Sequence, residues 1–426
     1  MLKKPVWIFL TAALVPIGLP ALAEDAKQPA LSLEDCINIA LKNQVDVLVG
    51  RNNVDAAKSR ATQATSEYFP TVSVQNNTFR IGSRSVLGSS RTGTALTVTQ
   101  NIYDGGLREA LVQGSRYGVV GNEAGLARTV QTVTFDVTRA YYEVLRARHL
   151  SDVAGASVKY NEGLRELVEA RVEAGDAAEA DVLPVEAELA NARVNLLSAQ
   201  NTVRTTTIQL QNTMGLSPQP AFDVQEADKP PETEIRALET YVSAAVSARP
   251  DIQQGEAGVG AARASVKSSR ISLYPQPTIT GEYQHGVGGL RSNSAQVFGG
   301  ITLDVFNGNR NRAAYKGAKA SQASAEERSK QVMKDVQAQV QEAYFNLTSA
   351  KERLAASDVG LAAAQKNYDV QEAKYKQGLA ITLDMLNAEL QVITAQTNAV
   401  QARYDYHIAI AQMEYAVGKQ GGLNGA

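Results

Sequence analysis

The sequence repeats its landmarks at an interval of 203 residues, which restricts the chain to architectures built from two copies of one unit. Gly175, Asp181 and Leu183 precede Gly378, Asp384 and Leu386 by that interval. The same step carries Tyr103-Asp104-Gly105-Gly106 to Phe306-Asn307-Gly308-Asn309, Ala140-Tyr141-Tyr142 to Ala343-Tyr344-Phe345, and Gly215 to Gly418. Phe69-Pro70 and Tyr274-Pro275 also correspond, with a slip of two residues.

Hydrophobic periodicity gives each copy the same plan. Leu33, Ile37, Ala40 and Leu41 have helical spacing behind Ser32 and Asp35, a candidate capping box, and the predicted helix runs over 33–67. It ends at Tyr68-Phe69-Pro70, because proline lacks an amide proton and disfavours helix in the residue before it. Alternation then predicts strands at 71–79 and 94–102, with Leu96, Val98 and Ile102 opposite Thr97, Thr99 and Asn101. The Gly/Ser/Arg-rich residues 81–93 read as a loop between them. A helical pattern continues from Leu107 to the turn at Gly175, interrupted by Gly114, Gly118, Gly121 and Gly125, and another covers 180–214. The second copy reads as a helix over 238–272, strands at 278–283 and 297–305 around a loop at 286–294, and a helix over 309–377.

That last helix would extend about 100 Å at 1.5 Å per residue. Leu347, Leu354, Leu361, Tyr368 and Tyr375 recur along it every seven residues, the period of a left-handed coiled coil. The predicted divisions are a signal peptide at 1–23, a first repeat at 24–215, a Pro-rich acidic connector at 216–237, a second repeat at 238–418 and a tail at 419–426. The fold class is therefore mostly α with a small β part: long coiled-coil helical hairpins plus four amphipathic strands.

Lys3, Lys4, the apolar run up to Leu19 and Ala21-Leu22-Ala23 form the export signal. The run is too short for a spanning helix, so strands must do any crossing of a bilayer. Four strands cannot close a barrel, and free edges are not tolerated in lipid, so the chain must assemble. Three copies would supply twelve strands, within the range of outer-membrane barrels.

The formal charge of −2 becomes −4 once Lys3 and Lys4 are removed, and no basic stripe is present, which argues against nucleic acid. Cys36 is the only cysteine, so there is no internal disulfide; it reads as a small apolar helix residue. His149, His285 and His407 have no local metal-ligand spacing, and Gly258-Val259-Gly260 sits within a helical pattern without a preceding strand. No cofactor, metal or enzymatic activity is expected.

These features together resemble the TolC family of outer-membrane efflux channels: the export signal, the duplication, the aromatic-proline strand entries, the long helices and the Gly-x5-Asp-x-Leu turn. The resemblance covers nearly the whole mature chain. It implies a homotrimer with a shared twelve-stranded barrel in outer-membrane lipid and an α-helical periplasmic tunnel. Its partners would be a periplasmic adaptor (membrane fusion) protein and an inner-membrane pump of RND, ABC or MFS type. The cargo would be small molecules or, through type I secretion, proteins. A soluble periplasmic coiled-coil adaptor is the rival reading.

The resemblance also implies roles at the turns. Asp384 falls where the family has an acidic constriction ring, and Tyr375 where it has a latch tyrosine, here directed toward Asp181. This chain departs from the family pattern at Ala380, where an arginine is usual, and at Asn387, where a second aspartate is usual, so a single acidic ring is expected. Three Asp384 carboxylates at roughly 6 Å would repel by about 0.7 kcal/mol per pair in water-like dielectric. The competing reading of Asp384 and Asp181 is that each complements the dipole of a helix N-terminus. Gly175 and Gly378 would form the hairpin turns.

Overall fold

The computed structural model describes residues 30–83, 86–218, 222–226, 234–288 and 293–419. The predicted signal peptide, and the tail beyond residue 419, lie outside them.

The chain opens with α1 (Leu33–Asn43), whose first turn is closed by the Ser32–Asp35 capping box. The single helix expected over 33–67 is instead two, because Gln44 leaves the helical conformation and its side chain accepts from the Asp46 amide to start α2 (Val45–Ser66). The second copy breaks likewise between α5 (Leu238–Ala248) and α6 (Pro250–Ile271). There Pro250 holds Arg249 extended, a breaker that the periodicity of residues 238–272 concealed.

The strands are longer than expected. β1 (Thr71–Ser83) and β2 (Val86–Tyr103) pair through the segment read as a loop, and β3 (Gln276–Gly288) and β4 (Asn293–Thr302) shorten the second predicted loop from both sides. Ladder pairing satisfies the backbone there despite the Gly- and Ser-rich composition, so tertiary context overrides local propensity. β4 ends at Thr302 rather than 305. The four strands form one antiparallel sheet in chain order.

Register fixes the faces of the sheet. Val72 lies opposite Val98, Val98 opposite Tyr283, Val74 opposite Leu96, and Tyr283 opposite Ala295. Directly opposed residues point the same way, so this face is mainly apolar, with Gln100 and His285 among its polar members. The alternate face carries Ser73, Thr97, Thr99, Thr280 and Glu282, together with Phe298 opposite Thr280. Val297 and Ile301, also on the apolar side, are each 74% exposed within one chain. Among the described residues no helix is long and apolar enough to cross a membrane.

The two longest helices, α3 (Leu107–Glu173) and α7 (Arg310–Lys376), each have 67 residues and extend about 100 Å. Below the sheet α3 packs against α2 and α6, and α6 against α7. Further along, α3 pairs with α4 (Val182–Thr213) and α7 with α8 (Thr382–Val417), while α3 and α8 join the two hairpins. The close approach of α3 and α6 requires Gly260, where a Cβ would lie 2.6 Å from the Tyr117 ring, whereas at Gly114 and Gly121 a Cβ would meet those of Ala264 and Ala257 at ordinary contact distances of 3.5 and 3.6 Å. α3 nonetheless runs unbroken through residues whose propensity argues against it.

The duplication extends into the core. Val133, Val137, Ala140, Val144 and Leu210 are buried around α1, and their counterparts Val336, Val340, Ala343, Leu347 and Met413 are buried around α5. Cys36 belongs to the first cluster, where burial pushes its thiol up to about 12 and keeps it an unreactive packing residue. In the heptad of α7, Leu347 and Tyr375 are buried, and Leu354, Leu361 and Tyr368 are half-buried.

Candidate gate at the hairpin tips

The far ends of α3 and α7 are closed by the same turn. Gly175 adopts φ +80°, its amide donates to Val172 O at 3.0 Å, and the Asp176 amide donates to Arg171 O at 2.8 Å. Gly378 adopts φ +75°, with Gly378 donating to Tyr375 O at 3.0 Å and Leu379 to Lys374 O at 2.8 Å. Both are Schellman turns, in which a left-handed residue lets the last carbonyls of a helix find partners. Glycine suits that conformation because a Cβ would crowd the following carbonyl.

Each turn then starts the return helix with an aspartate. Asp181 Oδ2 accepts from the Ala178 amide at 3.2 Å, and Asp384 Oδ2 accepts from the Ile381 amide at 3.2 Å. This is the reach-back half of a capping box; Ala178 and Ile381 have no side-chain acceptor to supply the other half. One oxygen of each carboxylate is therefore used by a backbone amide at a positive helix end. Asp384 and Asn387 lie exposed one helical turn apart, whereas Asp181 is half-buried.

Tyr375 is different in kind. It is 1% exposed, and it joins Leu164 and Val168 of α3, Val185 of α4, Ala380, and Met385 of α8 in one apolar cluster. Its hydroxyl lies 3.2 Å from the Thr382 hydroxyl within its own hairpin. The expected reach of Tyr375 toward Asp181 is thus corrected: the Asp181 carboxylate is engaged by its own turn. Besides that apolar packing, Tyr375 meets the first hairpin through Arg171, whose guanidinium sits 4.8 Å from the Tyr375 ring centroid. Arg171 also donates to the Tyr375 carbonyl and to the Asp176 carbonyl, each at 3.4 Å.

Sequence reasoning missed Arg171. Its counterpart across the repeat is Lys374, and Tyr375 corresponds to Val172, so neither residue of the pair is marked by the duplication. Ala380 packs in the cluster as a small apolar residue.

Geometry thus gives two equivalent hairpins that meet at a buried apolar cluster around Tyr375, at the opposite end of long helices from the sheet. The sequence profile of the outer membrane efflux protein family matches residues 36–216 and 241–419. The chain belongs to this family. Outer membrane efflux protein BepC of Brucella suis is 26% identical over 401 residues, covering 92% of this chain and 87% of BepC. The pyoverdine export outer membrane protein OpmQ of Pseudomonas aeruginosa is 25% identical over 327 residues, covering 75% and 67%. The crystal structure of VceC from Vibrio cholerae superposes with a TM-score of 0.81 at 18% identity, covering 91% of this chain and 96% of VceC.

Membership in the outer membrane efflux protein family makes the chain a transport conduit rather than an enzyme, located in the outer membrane and extending into the periplasm. It also makes the chain the outer-membrane component of a tripartite export system, dependent on a periplasmic adaptor and an inner-membrane pump.

Proposed function

We propose that three copies of this chain form a gated channel for export of small molecules across the outer membrane. The observation that carries this reading is the four-stranded sheet, which has one mainly apolar face and β1 and β4 as its outer strands. Joining the outer strands of three copies gives twelve strands with a mainly apolar exterior and a more polar lumen, which satisfies every edge in lipid. A coiled-coil adaptor in aqueous periplasm has no use for such a face.

The tips of the six hairpins then form the periplasmic entrance. Tyr375 and Arg171 hold the two hairpins of each copy together, and Gly175 and Gly378 set the turns. Three Asp384 side chains form the acidic ring, Asp181 lies behind it on the neighbouring hairpin, and Asn387 leaves the ring single. The spare Asp384 oxygen remains available to attract cations while the other caps α8.

Small-molecule cargo is favoured over protein because OpmQ carries pyoverdine export in its name and BepC carries efflux. The pump is of RND, ABC or MFS type. Crosslinking in cells followed by purification of the tagged protein tests the assembly. Co-purification of an adaptor and a pump is expected, whereas a monomer extracted without detergent would overturn it.

A further inference from the structure

Beyond the tips, one ionisable side chain is buried where the two hairpins meet. Glu389 of α8 is 5% exposed and faces α3, where Ser157 Oγ donates to its Oε1 at 3.3 Å and Asn161 Nδ2 donates to the same oxygen. Asn161 is itself fully buried. Both amide protons are used, since Nδ2 also donates to the Ser157 carbonyl at 3.0 Å. Its Oδ1, however, is buried without a hydrogen-bond donor.

A buried acceptor without a donor is costly, on the order of 1–3 kcal/mol. The group beside it can supply what is missing: a protonated carboxyl has one O–H to donate, and a carboxylate has none. We propose that Glu389 and Asn161 form a proton-dependent joint between the hairpins, made when the carboxyl is protonated and weakened when it ionises.

The surroundings favour the neutral acid. From α4 the group facing Glu389 is Glu188, a like charge, and from α7 it is Tyr368, which itself lies near Glu372 and Asp369. From α3, besides Ser157 and Asn161, Tyr160 lies edge-on to Tyr368 at 5.3 Å. None of these is a cation. Burial first, and then Glu188, push the Glu389 carboxyl up to about 7, against the two hydrogen bonds that oppose the shift.

The direction follows from linkage. A joined form with a raised pKa holds its proton over a window where a separated form, with an ordinary carboxyl, has lost it. The joint is fully present below the ordinary glutamate range, is lost progressively as pH rises toward 7, and is absent above it. Any effect on channel opening rests on the hairpin-tip gate proposed above; the joint itself does not.

Hydrogen exchange on the full-length protein in detergent tests it, comparing wild type with Glu389→Gln at the same pH. Glutamine keeps the shape and always carries a donor. At pH 8 the variant should slow exchange around residues 157–164 and 386–392 by about tenfold or more, and the difference should shrink as pH falls and vanish at about pH 4, below the ordinary glutamate range. Equal exchange at both pH values, or an equal difference at both, would overturn the joint. Exchange that follows the prediction while conductance ignores pH would keep the joint and count against the gate.

Discussion

Arg171 on the first hairpin sits with its guanidinium 4.8 Å from the ring centroid of Tyr375 on the second, and donates to the carbonyl of the same residue. One side chain thus holds both the ring and the backbone of its partner, at the point where α7 ends and the chain turns back. Separating the hairpins requires breaking this contact, which makes it the natural lock of a gate built from hairpin ends.

The Tyr375 hydroxyl contributes separately. In Tyr375→Phe the ring stays under Arg171, but the buried Thr382 hydroxyl loses its partner, at a cost of about 1–2 kcal/mol. Basal conductance in planar bilayers and antibiotic leakage in cells should both rise. Values equal to wild type would leave Tyr375 as core packing alone.

Asp384 has two tasks that a single substitution can separate. Asp384→Asn retains an oxygen for the Ile381 amide and removes the charge, so the α8 cap survives while the ring disappears. Cation selectivity and block by multivalent cations should fall, with little change in thermal stability. Asp384→Ala should lose the cap as well, at a further cost of about 1 kcal/mol. Selectivity unchanged in both variants would reduce Asp384 to a helix cap.

The turns make a prediction about the backbone alone. No atom lies within 4 Å of a Cβ placed at Gly175, so Gly175→Ala tests only the strain of φ +80°, about 1–2 kcal/mol. Gly317 also has open space around it but lies within α7, and Gly317→Ala should stabilise by up to about 1 kcal/mol. Thermal unfolding midpoints should therefore move in opposite directions. Matching shifts would mean that the Gly175 turn can rearrange.

Much of this could be read from residues alone, because the features concerned are local. A glycine ending a helix, an aspartate starting the next and a repeated interval of 203 need no knowledge of packing. The features missed depend on partners distant in sequence. The Gly/Ser/Arg run before Thr94 became strand because a neighbouring ladder satisfied its backbone. Arg171 gained its role only when α3 was laid beside the end of α7, and Glu389 became notable only on burial against Asn161. The break at Arg249 was legible in Pro250, but the apolar periodicity on either side hid it.

The central claim is that the hairpin contact keeps the channel closed, and single-channel recording of Arg171→Ala in planar bilayers tests it most directly. Loss of the cation–π contact alone is worth about 1 kcal/mol, roughly a fivefold change in an equilibrium. Open probability should therefore rise about fivefold or more relative to wild type, with single-channel conductance through the barrel retained. An Arg171→Ala channel that stays as closed as wild type would contradict the account.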